Sequence, residues 1–423
     1  MDYKQKELKK GIKLHTINTD KFKTNLISVF LTTKLNRENV TKNAVISAVL
    51  RRGSKTMPSQ EEISKQMEAL YGASFDCGLD KTGDNQVLKF YLETVNDDFL
   101  PQKGEDMLKT SVEKLLEIVF DPYIENNSFK KEYVEQEKNN IKQRIEGKKD
   151  NKARYALERC TEEMYKNESF GLFKFGYVED LEKINEKNLY EYYKNLINNC
   201  KIDIFVSGIV KDDISKEVLE NENIKNLQER IPEYNPPKEI NKQLAEEENI
   251  VTESMEVTQG KLILGLDVCL ENEDLRYDTL IYNSILGGSA NSKMFQNVRE
   301  KAHLAYVASS SYLRYKNNIF VNCGIEIGNY EKALELIRKQ IDGMKNGEFT
   351  EEDIDNAKKG IIATIKTIDD EQDTGITYYF GQELSESDIS IEEYINKIQN
   401  VSKENIINIA KNVAINTIYF LKD

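Results

Sequence analysis

The chain has no tryptophan, two histidines, six prolines and five cysteines in 423 residues, and each scarcity excludes something. A catalytic zinc ion takes about three protein ligands, usually led by histidine. His15 and His303 stand far apart, and no HExxH-type or HxxEH-type pair occurs. A self-contained, histidine-led zinc site is therefore not expected. Cys77, Cys160, Cys200, Cys269 and Cys323 are scattered without CxxC spacing. They read as buried, reduced thiols of a cytoplasmic protein rather than a disulfide framework. No window holds about 18 consecutive apolar residues, and the opening MDYKQKELKKGIKLHT lacks the apolar region of a signal peptide. A cytoplasmic chain with no membrane partner is the expectation. Basic residues are outnumbered, and the net charge is -14. That removes the basic footprint of non-specific nucleic-acid binding and leaves cationic peptides or proteins as partners. A phosphate loop is missing too: LGGSANS is glycine-rich but lacks the Lys-Ser/Thr ending.

What is present is one order of elements, twice. TNLISVFLTT (24–33) and GKLILGLDVCL (260–270) both alternate like strands. Each is followed by a polar loop and an amphipathic helix, VTKNAVISAVLRRGS in one half and YDTLIYNSILGGS in the other, ending at glycine. Two strand-like runs come next: ASFDCGLDKT with QVLKFYLETV (86–95), and LAYVASSSYLRY with NNIFVNCGIEIG (317–328). TGDN and KNN between them are hairpin-turn chemistry. Helices at 105–120 and 131–147 are matched by helices at 330–347 and 351–368. Each half closes on a strand, KIDIFVSGIV (201–210) or NTIYFLKD (416–423). The offset is about 235 residues at the start of the halves and about 215 at their end.

Between the halves, 219–249 holds three of the six prolines and a high charge density, a linker composition. The pattern predicts an N-terminal domain over 1–218, a linker over 219–249 and a C-terminal domain over 250–423. Each domain is α+β, a mostly antiparallel sheet with helices packed on one side.

Three stretches carry a resemblance: NAVISAVLRRGSKTMPSQEEISKQMEALYGASFD, EKNNIKQRIEG and ILGGSANSKMFQNVREKAHLAY. Over essentially its whole length the chain resembles the insulinase/pitrilysin-type zinc metallopeptidase family. The resemblance implies two homologous halves that form a clam-shell. It also implies a zinc site, from which this chain departs. The HxxEH pentad falls on Ala44-Val45-Ile46-Ser47-Ala48, so both histidines are alanine and the general base is Ser47. The third ligand follows an upstream glutamate by seven residues; with Glu137 as that glutamate, its position is Arg144. Alanine cannot bind zinc and arginine repels it. Taken alone, 40–52 reads as a core helix with Val45, Ile46, Val49 and Leu50 as its apolar face. The runs LYGAS, ETVNDD and ARYALERCTEEMYKNESFG are similar to a bacterial branch lacking HxxEH, typically encoded beside a relative that keeps it.

The resemblance also assigns a role to REKAHLAY, where Arg299 and Tyr306 lie seven apart. In two-subunit members one subunit supplies the zinc helix and the other an Arg/Tyr pair at this spacing. Such donors face a substrate carbonyl and stabilise charge on its oxygen. Taken alone, Tyr306 opens a strand and packs at a sheet end, Arg299 pairs with Glu300, and His303 is a loop residue. The leading expectation is a non-catalytic subunit of a heterodimeric zinc peptidase. It closes the chamber and lends Arg299 and Tyr306 to the partner's site, with zinc in the partner and no cofactor in this chain. An inactive peptide-binding or scaffolding protein is the second. An enzyme using other residues is the weakest, because no nucleophile–base pair stands out.

Overall fold

The computed structural model describes residues 2–100, 106–210, 214–237 and 240–423. Positions 101–105 and 211–213 of the expected N-terminal domain, and 238–239 of the expected linker, lie outside the described residues. So does Glu105 of the helix expected over 105–120.

The chain divides into two compact units. The first comprises Met1–Glu146, Leu172–Pro236 and Ile368–Leu384; the second comprises Gly147–Gly171, Pro237–Thr367 and Ser385–Asp423. The units therefore exchange segments: each half of the sequence gives one stretch to the other's unit.

In the first unit β1 (Asp2–Lys9), β2 (Ile12–Asn18), β3 (Thr24–Lys34), β4 (Ser74–Thr82), β5 (Asn85–Val95) and a later strand, Lys201–Gly208, form a six-stranded sheet. A two-residue hairpin, β6 (Ile124–Glu125) with β7 (Ser128–Phe129), lies between, so the later strand is β8. The sheet order is β1-β2-β8-β3-β5-β4. In the second unit β9 (Asn249–Ser254), β10 (Gly260–Val268), β11 (Ala305–Leu313), β12 (Asn318–Ile325) and β13 (Val413–Lys422) form a sheet of order β11-β12-β10-β13-β9. The two orders correspond from the hairpin edge inwards, β4-β5-β3-β8-β2 to β11-β12-β10-β13-β9. All pairs are antiparallel except β2 with β8, where Leu14 faces Ile204, and β9 with β13, where Val251 faces Tyr419. The duplicated plan is thus a duplicated topology.

β3 is buried over nearly its whole length, because both faces of its sheet are covered. Ile27, Val29 and Leu31 point to one face, against α1 (Val40–Leu50) and α3 (Met107–Phe120). Leu26 and Phe30 point to the other, where they meet Ile376, Phe380 and Leu384 of the exchanged helix Gln372–Leu384. Burying each such side chain contributes roughly 1.5–3 kcal/mol. α1 has no side-chain N-cap and is buried almost all round, so it is held by packing rather than by its ends.

A buried polar network accompanies the exchanged helix. His15 Nε2 lies 3.0 Å from Asp203 Oδ1, both side chains fully buried. Lys201 donates to Asp203 and, at 2.9 Å, to Glu383. Lys13 reaches the same carboxylate at 2.8 Å. The second sheet uses the same device: Tyr155, Ala156 and Cys160 of the exchanged helix α5 (Lys152–Met164), the fifth helix after α2 (Gln60–Ala69) and α4 (Lys131–Glu146), pack on Ile263, Phe320 and Tyr419. A Cβ at Gly265 of β10 would stand 2.7 Å from Met164 Sδ, so glycine lets the Met164 side chain rest directly on the strand. Helices on one side therefore describe the main layer of each unit, and one exchanged helix backs each sheet. Among the described residues no helix is long and apolar enough to cross a membrane.

Candidate functional site

Within the first unit, α1 and α4 lie side by side. Ala44, Ala48 and Arg51 fall at four- and three-residue intervals on one face of α1. Ala44 is packed into the core. Ser47 is equally buried; its hydroxyl donates to Gly78 O at 3.3 Å, while the Cys77 thiol donates to Ser47 O at 3.5 Å. Ser47 therefore ties the helix to β4 and activates nothing. On α4 the Glu137 carboxylate is 5% exposed. It accepts from the Arg52 guanidinium and, at 3.0 Å, from Asn140 Nδ2. Arg52 also donates to Gln60 Oε1 at 3.3 Å. Arg144 is exposed, with its guanidinium 5.5 Å from the Phe175 ring centre.

Of these, Arg51, Arg52, Gln60, Glu137, Asn140 and Arg144 line a cavity of about 500 Å³ between the two helices, beside the face that carries Ala44 and Ala48. Zinc does not fit it. The methyl groups of Ala44 and Ala48 carry no lone pair, the guanidiniums repel a cation, and the one carboxylate is engaged by Arg52. Burial pushes the Cys77 thiol above its ordinary range although Arg51 and Arg144 pull it down, so it is a thiol at neutral pH rather than an anionic ligand. Among the described residues no three His, Cys, Asp or Glu side chains gather to hold a metal.

The second candidate region is ILGGSANSKMFQNVREKAHLAY, in the second unit. Helix Leu275–Asn283 runs into a π-helical turn, Ser284–Gly288, and a second π-helical segment follows, Met294–Lys301. Such turns are rare and recur at functional sites. A Cβ at Gly287 would meet the backbone nitrogen of Ser310 at 2.5 Å, so glycine alone lets the first turn pass against β11. The Ser310 hydroxyl donates to Asn283 Oδ1 at 2.7 Å and locks the contact. The second segment ends with Ala302 N donating to Asn297 O at 3.2 Å and Leu304 N to Val298 O at 3.1 Å. His303 takes the closing left-handed position, φ 52°, which glycine adopts freely and other residues at some cost. It is exposed.

This closure sets Arg299 and Tyr306. Arg299 lies in the last turn with its side chain 42% exposed, its Nε 3.5 Å from Glu300 Oε1 and its guanidinium 4.5 Å from the Phe295 ring centre. So exposed a pair contributes about 0–1 kcal/mol, and the guanidinium is readily released. Tyr306 is the extra residue of a bulge: Ala305 faces Ile325 and Val307 faces Gly324, leaving Tyr306 unpaired between them. Bulges re-aim side chains. This one turns Tyr306 outward, 63% exposed, rather than packing it at the sheet end. Among the described residues no hydrogen bond holds its hydroxyl. β11 is also an outer strand of its sheet, with one backbone edge unpaired.

Sequence reasoning overlooked Arg51, Arg52 and Cys77. The signal was available for one of them: Arg51 stands seven residues after Ala44, two turns along the face that the missing histidines would occupy.

A profile of the family described as Peptidase M16 inactive domain matches residues 183–361. "Probable inactive metalloprotease YmfF" of Bacillus subtilis (strain 168) is 34% identical over 422 residues, spanning 97% of this chain and 96% of the relative. The chain belongs to the M16 metallopeptidase family. Among solved structures, a conserved protein from Enterococcus faecalis V583 superposes with a TM-score of 0.90 at 28% identity, covering 100% of this chain and 99% of that one. The peptidase M16 inactive domain from Pseudomonas fluorescens superposes at 0.80 and 16% identity, covering 100% and 98%. This M16 chain has relatives that are named inactive, and among the described residues no cluster of His, Cys, Asp or Glu could hold a metal.

Proposed function

We propose that this chain is the non-catalytic subunit of a heterodimeric zinc peptidase. Its partner is an HxxEH-bearing relative, encoded nearby, which holds the zinc. This chain closes the shared chamber and presents Arg299 and Tyr306 to the carbonyl of the peptide being cleaved. The observation that carries the reading is Tyr306, an exposed phenol on a bulge, its hydroxyl without a hydrogen-bond partner among the described residues and its strand at a sheet edge. A structural tyrosine buries its ring, whereas a donor for a developing oxyanion stands free until substrate arrives. Arg299 adds a cation held by an exposed contact with Glu300 and by the face of Phe295. The five unpaired thiols suit the reducing cytoplasm.

The second reading, an inactive peptide-binding or scaffolding member, draws on the same free edge of β11, since extended peptides add to such edges. Co-expression separates the two. The first expects a stable complex with the HxxEH-bearing relative that cleaves peptides faster than that relative alone. The scaffold reading expects no gain in cleavage from adding this chain.

A further inference from the structure

The cavity between α1 and α4 sets three guanidiniums, Arg51, Arg52 and Arg144, against one carboxylate, Glu137, in a chain of net charge -14. Glu137 is taken by Arg52 and Asn140. Arg51 and Arg144 have no carboxylate partner among the described residues. Both stand at the C-terminal end of a helix, Arg51 as the cap residue of α1 and Arg144 in the last turn of α4. There the backbone carbonyls favour a cation, so both are held in place without a carboxylate. They come from different helices, yet both line this one cavity. Ser47 of α1 donates to Gly78 O of β4 at 3.3 Å, so that strand lies beside the helix that carries Arg51. Cys77 belongs to β4, the outer strand of its sheet, whose free edge suits an extended chain.

We propose that this cavity is a carboxylate site, in which Arg51 and Arg144 hold a carboxylate of an extended peptide, at its C-terminus or on an acidic side chain. Guanidiniums match carboxylates with paired N–H···O bonds. A space of about 500 Å³ lies in the range of small-molecule sites and admits a peptide end rather than a bare anion alone. The assignment does not depend on a metallopeptidase partner.

The test uses the full chain alone and fluorescence anisotropy. Three labelled hexapeptides of Ala, Val and Thr are compared: one with a free C-terminus, one amidated, and one amidated with a central Glu. Inorganic phosphate serves as competitor. At least one acidic peptide should bind about tenfold or more tightly than the neutral amide, and which one does so names the source of the carboxylate. The gap should vanish in Arg144→Gln, a surface change that leaves the fold intact by circular dichroism. It should shrink in Arg51→Gln and survive in part in Arg144→Lys. Equal binding of the three peptides, a gap that persists in both glutamine variants, or binding of phosphate with no peptide bound would overturn the proposal.

Discussion

Replacing Asp203 by Asn asks whether the buried ionic network holds the exchanged helix on the first sheet. Burial alone would raise the Asp203 carboxyl, but Lys201 and His15 outweigh it and hold it at about 2. Against an unfolded value of about 3.9, that depression is worth on the order of 2–3 kcal/mol at neutral pH. Removing one partner of a buried pair costs about 3–5 kcal/mol. Glu383 remains 2.9 Å from Lys201 and offsets part of the loss, so we expect about 3 kcal/mol. The folded value lies below the unfolded one. The stabilisation is therefore fully present above about pH 4 and is lost as the pH falls toward 2. With no tryptophan in the chain, the assay is urea unfolding by circular dichroism, joined to hydrogen exchange of Lys201–Gly208 and Gln372–Leu384. The gap between wild type and Asp203→Asn should be constant from pH 7 to pH 5 and shrink at pH 3, with faster exchange in both segments of the variant. A gap under about 1 kcal/mol, the range of an exposed pair, would refute the reasoning. So would a gap that widens in acid.

Gly287→Ala should destabilise the second unit by about 1–3 kcal/mol and lower the thermal midpoint, because its Cβ meets backbone at 2.5 Å; Gly288→Ala, whose nearest neighbour is a side-chain amide at 3.1 Å, should be milder. Arg52→Ala leaves the buried Glu137 with Asn140 alone and should cost about 2–3 kcal/mol in urea unfolding, part of it recovered by adding Glu137→Gln. Metal analysis of the chain purified without chelator should find far less than one zinc per chain; close to one, held against dialysis, would contradict the reading of Ala44, Ala48 and Arg144.

The strand–helix–hairpin–helix plan was legible because its elements keep their own period. The run at 24–33 is the body of Thr24–Lys34, and the run at 317–328 contains Asn318–Ile325. The edge strands β1 and β9 were not legible. β1 is mostly exposed and rich in Lys and Glu, so it carries no alternation of apolar residues to detect. β9 follows directly on a stretch with linker composition. Helix exchange was hidden for another reason. The apolar face of α5, with Tyr155, Ala156 and Cys160, announces a packed helix but not which sheet it covers. Alanine at two of the positions that the resemblance gives to zinc ligands was plain in the sequence. The basic cavity was not, since it needs Arg51 and Arg144 from separate helices to line one space. Exposure of Tyr306 depends on a one-residue bulge that an alternating run of residues does not reveal.

The most direct test of the central claim is the turnover of Tyr306→Phe in the complex with the HxxEH-bearing partner, with Arg299→Ala beside it and gel filtration to establish that the complex is intact. Loss of one donor to a developing oxyanion lowers the rate on the order of 10²–10³-fold. We therefore predict that kcat falls in each variant far more than KM rises, while assembly is unchanged. Wild-type kcat and KM in both variants of an intact complex would contradict the account and leave the pair structural.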